Sequence, residues 1–119
     1  MSKPTKKVQS VFDILHYTDK RYELKNIGSE WLIHLKYDDL IDIEINVFKY
    51  HKWAMSGAVY FIKRDTSRVV RGTQVNDITI DQLERVIGYG VKIIESDAFD
   101  EKTDKRSYFD GNYGFRKVR

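Results

Sequence analysis

The stretch "YELKNIGSEWLIHLKY" at residues 22–37 decides how this chain folds. Two runs that alternate apolar with polar side chains flank Gly28-Ser29; the alternation marks strands, and the glycine supplies the positive φ of a tight hairpin turn. A two-residue loop at 28–29 pairs residues whose numbers sum to 57, which sets Leu24 opposite Ile33 and Tyr22 opposite Leu35. A slip of one residue would oppose those apolar side chains to Glu30, His34 and Lys36, so pattern and turn chemistry specify the same register.

Reading toward the C-terminus, "LIDIEINVF" at 40–48 keeps the alternation, with Ile41, Ile43, Ile45 and Val47 on one face and Asp42, Glu44 and Asn46 on the other. Matching that apolar face to Ile33 and Leu35 requires a loop of odd length around Asp38-Asp39. The run "AVYFIKR" at 58–64 is apolar on both faces, as expected of a central strand, and "MSG" at 55–57 is the turn candidate before it. "SRVVRGTQV" at 67–75 reads either as a fifth strand or as a loop.

Helices flank the sheet on both sides in sequence. Val8, Val11, Phe12 and Leu15 fall at i, i+3, i+4 and i+7, the spacing of one helical face, and predict a short helix over 8–17. Residues 1–7, with Pro4 and the cations Lys3, Lys6 and Lys7, read as a flexible basic arm. At "TIDQLERVIGYGVKIIE", residues 79–95, the period becomes helical again. Thr79 and Gln82 form a capping-box pattern, Asp81 and Glu84 favour the positive N-terminal end, and Ile80, Leu83, Ile87, Val91 and Ile94 make the buried stripe of a helix over 80–95. Gly88 and Gly90 each cost about 1 kcal/mol against alanine inside a helix, which points to close approach of a neighbour or a kink near Tyr89. The fold class is therefore α+β: an antiparallel sheet of four to five strands with a short N-terminal helix and one longer helix packed on it.

At 119 residues the chain is the size of one domain, 1–119, closed by a basic-aromatic tail at 101–119 in which Asp110-Gly111 suggests a small hairpin, 106–116, against the sheet edge. With no cysteine, disulfides, cysteine-based zinc sites and thiol nucleophiles are excluded, and a reducing, cytoplasmic location is expected. No apolar run has the length of a spanning helix, so no membrane partner is expected. His16, His34 and His51 are far apart, no phosphate loop or dinucleotide fingerprint is present, and no metal or cofactor is expected.

The net charge of +3 matters less than its distribution into blocks. One cluster holds Lys49, Tyr50, His51, Lys52 and Trp53; a second holds Lys63, Arg64, Arg68 and Arg71; the terminal "KRSYFDGNYGFRKVR" at 105–119 adds Tyr113, Phe115, Arg116 and Lys117. Cations neutralise phosphates and rings stack on bases, a combination suited to single strands. The leading expectation is a small non-enzymatic binding protein of bacterial or phage type that docks on single-stranded nucleic acid. In it Lys49, Lys52, Lys63, Arg64, Arg68 and Arg71 contact phosphates, Tyr50, Trp53, Tyr113 and Phe115 stack, and the two basic ends add reach. The alternative is a regulator or inhibitor docking on a partner protein through the acidic 38–46 edge, or through the 80–95 helix with the aromatic tail, since Tyr and Arg also anchor protein interfaces. The tail rings also suit simple packing against the core. A third reading, a small nuclease, would use His34 with Glu44.

Four strands followed by one helix, with the Ile-Asp-Ile strand and a capped helix after "DITIDQ", resemble the single-stranded-DNA-binding transcriptional coactivators of the positive-cofactor-four type. The resemblance spans at most 21–95; the N-terminal helix and the long 49–77 segment depart from it, and no site residue is carried over.

Overall fold

The computed structural model describes residues 3–95 and the backbone of 106–109 and 116–117. The order is α1 (Lys6–Thr18), β1 (Tyr22–Asn26), β2 (Trp31–Lys36), β3 (Ile41–His51), β4 (Ala54–Lys63), β5 (Arg68–Thr79), α2 (Ile80–Glu95), β6 (Arg106–Phe109) and β7 (Arg116–Lys117). Strands β1 to β5 form an antiparallel meander in sequence order, and the two helices complete an α+β fold.

The opening hairpin has the expected register. Tyr22 pairs with Leu35 and Leu24 with Ile33, and Gly28 sits at φ 94° in the turn. Ile33 pairs with Ile45 and Leu35 with Ile43, which leaves the odd-length connection that face matching requires. Asp38 closes that connection by accepting hydrogen bonds from the Leu40 and Ile41 amides, each at 2.8 Å. The segment at 67–75 belongs to a strand: β5 pairs with β4 from Lys63↔Arg68 to Ala54↔Thr79.

Both helices lie on the same face of the sheet. α1 covers β1 to β3 and α2 covers β4 and β5, and Val11, Leu15, Leu83 and Val91 join Ile33, Ile43, Ile45, Val59 and Phe61 in one apolar cluster. The capping box at the start of α2 is formed as expected: the Gln82 amide donates to the Thr79 hydroxyl at 3.2 Å, and the Thr79 amide to the Gln82 side-chain oxygen at 2.9 Å. Of the two helix glycines, Gly90 has the close neighbour. A Cβ there would overlap the Phe61 ring, whereas one at Gly88 would meet nothing within 4 Å.

Three expectations are corrected. Lys6 and Lys7 belong to α1 and not to a flexible arm. The turn before β4 is not at Met55–Gly57, which lies inside the strand; it is at Lys52-Trp53, with φ values of 50° and 66° and His51 paired to Ala54. Gly57 serves another purpose, because a Cβ there would collide with the Asn46 carbonyl oxygen on β3. Third, Tyr50 is not the open stacking ring expected of it, because a bulge between Val47 and Lys49 takes Phe48 out of the ladder and reverses the facing of the residues beyond it. Lys49 is thus exposed while Tyr50 packs against the core.

At the far edge, β6 pairs parallel to β5 over Gly72–Val75, and β7 pairs antiparallel to β6 through Ser107↔Lys117 and Tyr108↔Arg116. This agrees with a small terminal hairpin on the sheet edge; its expected Asp110-Gly111 turn lies outside the described residues. Among the described residues no helix is long and apolar enough to cross a membrane.

Candidate nucleic-acid interface

The β3–β4 hairpin tip and the start of α1 meet to form a basic, aromatic surface. The bulge brings this about. With Phe48 outside the ladder, its carbonyl oxygen accepts a hydrogen bond from Lys7 Nζ at 3.0 Å, tying the first turn of α1 to β3. Beside this tie lies a cavity of about 430 Å³ lined by Lys6, Lys7, Ser10, Tyr50, His51 and Lys52, with no carboxylate among its described lining residues. Lys7 also lines a second cleft, of about 270 Å³, whose walls include Trp31 and Phe48.

Three features of this end run against folding economy. Lys52 and Trp53 both hold left-handed backbone conformations without glycine, at a cost of about 1–2 kcal/mol per residue for an L side chain. Trp53 is nonetheless 76% exposed at the tip. The Tyr50 hydroxyl is shielded from solvent and makes no hydrogen bond among the described residues; an unmade bond of this kind costs about 1–3 kcal/mol. Strain, an exposed indole and an unused donor gathered at one place are features expected of a ligand site.

The second cationic cluster is at the opposite end of β4, about 30 Å away along a ten-residue strand. Most of its charge is paired or buried. Arg64 donates from Nη2 to Asp42 at 2.6 Å and to the Asp38 carbonyl at 2.6 Å, and from Nε to Asp42 at 3.1 Å. Burial alone would raise the Asp42 carboxyl, but the hydrogen bonds and charge of Arg64 outweigh it and hold Asp42 below its ordinary value. Arg71 is only 2% exposed; it pairs with Phe61 on the helix-covered face, so it is not presented to a phosphate. Lys63 is half-buried, and of the four only Arg68 is fully exposed.

The expected single surface is therefore divided. Tyr50 and Lys52 line one hollow with Lys6, Lys7 and His51, which were not in the expected binding set, while Lys49 and Trp53 lie on the same hairpin outside that lining. Lys63, Arg64, Arg68 and Arg71 are not part of that surface. Tyr113 and Phe115 lie outside the described residues, and Arg116 and Lys117 are described only through the backbone pairing of β7. Lys6 and Lys7 are visible in the letters as cations on an arm; what letters do not show is the bulge that lets Lys7 dock on β3.

On the open face of the sheet, His34 stands directly opposite Glu44, the pair on which a nuclease reading would depend. The acids there are engaged by cations: Lys25 Nζ reaches Glu44 at 2.9 Å, and Asp42, 3.9 Å from His34, is held by Arg64. This is a cross-strand ion-pair network of the kind that covers solvated sheet faces. No family model, curated protein or solved structure matches the chain, and the resemblance to single-stranded-DNA-binding coactivators has no support there.

Proposed function

We propose that the protein is a non-enzymatic binding protein that holds single-stranded nucleic acid at the surface shared by the start of α1 and the β3–β4 hairpin tip. Lys6, Lys7, Lys49 and Lys52 contact phosphates, and Trp53 stacks on a base. The observation that carries this reading is the union of Lys6, Lys7 and Lys52 around a hollow whose described lining has no acid, with Lys49 and the exposed Trp53 on the same hairpin. Flat side chains accept any base, so the reading implies little sequence preference and strong dependence on salt.

The test is fluorescence anisotropy of a labelled single strand about 10 nucleotides long, within the usual site size. Four phosphate contacts give a log–log slope of affinity against salt of about −3, at about 0.7 per contact for single strands. Absence of binding at low salt, or affinity that does not change with salt, contradicts the proposal. In that event a partner protein retained on the immobilised chain after nuclease treatment, and released by Trp53→Ala, would move the assignment to a protein-docking regulator.

A further inference from the structure

We infer that the cavity between α1 and the β3–β4 hairpin is a seat for a terminal phosphate monoester, so that the protein recognises the end of a single strand and not only its run. This inference rests on the nucleic-acid reading above and narrows it to a substrate class. The hollow is open to solvent, and it differs from a linear basic track in drawing its cations from two elements. Lys6 and Lys7 enter it from the helix and His51 and Lys52 from the hairpin, so donors converge from two elements on one volume of about 430 Å³. The Lys7 tie to the Phe48 carbonyl holds one ammonium in place, which is pre-organisation that a tracking surface does not need.

The charge of the ligand follows from this convergence. A phosphodiester carries one negative charge spread over two free oxygens, whereas a monoester near neutral pH carries between 1.5 and 2 and offers three acceptor oxygens, about twice as much for clustered ammonium groups to engage. Trp53 follows Lys52 directly and is exposed, so a base attached to the seated phosphate has a ring within one residue of the anion site. The occupant assigned by these features is a strand end bearing a monoester.

Three otherwise identical strands of about 8 nucleotides distinguish the possibilities: one with hydroxyls at both ends, one with a 5′-phosphate and one with a 3′-phosphate. The full chain is expected to bind one phosphorylated strand about tenfold more tightly than the unphosphorylated one, the effect of about one added charge-assisted contact. That preference should vanish in Lys52→Gln. Inorganic phosphate at millimolar concentration should compete more strongly against the phosphorylated strand than against the unphosphorylated one. Equal affinities for all three strands overturn this inference and leave the general nucleic-acid reading intact. Failure to bind any of them overturns both.

Discussion

At one end of β4 the hairpin tip holds Lys52 and Trp53 in left-handed conformations, with Lys52 beside Lys6 and Lys7; at the other, Arg64 is bound to Asp42 and Arg71 is buried. Both ends are rich in cations in the sequence. They differ in what surrounds those cations once the chain is folded. The second end lies beside the β2–β3 connection, whose Asp38, together with Asp42 at the start of β3, absorbs its charge. The first end meets the positive start of a helix, which adds charge of the same sign. Position in the sheet, and not count of lysines and arginines, separates a structural cation from one available to a ligand.

The largest effect that would test this contrast is on stability. Arg71→Ala empties a fully buried position and is expected to destabilise the protein by about 2–4 kcal/mol in urea unfolding, with strand affinity per folded molecule unchanged. A variant that folds normally and loses binding would place Arg71 in the interface and erase the distinction.

Trp53→Gly should do the reverse. It removes the stacking ring, lowering strand affinity by about 1–3 kcal/mol, while relieving left-handed strain and raising stability by up to about 1 kcal/mol. A loss of stability would mean that the tryptophan is held for folding.

A smaller effect sharpens the electrostatic side of the contrast. Lys52→Gln should reduce the salt slope by about 0.7, the share of one phosphate contact, whereas Arg68→Gln at the other end should leave the slope unaltered. Equal effects from the two would show a diffuse field rather than a local site.

The smallest effect concerns acid. Asp42 is depressed in the folded state, so the stability it contributes is present above about pH 4 and is lost as pH falls through the folded value. The stability difference between the native chain and Asp42→Asn should therefore be constant from neutral pH down to about pH 4 and close below it. A difference that persists into strong acid would show that Arg64 is not held by the Asp42 charge.

How much of this was legible in the letters depends on whether the decisive interaction was local. The β1–β2 register could be read because Gly28 and two alternating runs lie within sixteen residues, and α2 because Thr79 and Gln82 cap it from inside their own turn. The β3–β4 tip was misread because glycine at 57 signals a turn, while the turn itself uses Lys52 and Trp53, residues that seldom accept positive φ. The glycine is needed instead across the ladder, where it lies against Asn46. Likewise, the Phe48 bulge leaves no local mark, yet it exposes Lys49, turns Tyr50 inward and frees the carbonyl that receives Lys7. The candidate surface was therefore half visible: its hairpin residues stand together in the letters, and its helix residues depend on a contact spanning forty-one positions.

Amide chemical shifts measured while a single strand is titrated into the labelled protein test the central claim most directly. Perturbations concentrated at residues 6–10 and 48–54, with 62–71 unmoved, are the predicted result. Perturbations centred on 62–71, or none at all, would contradict it.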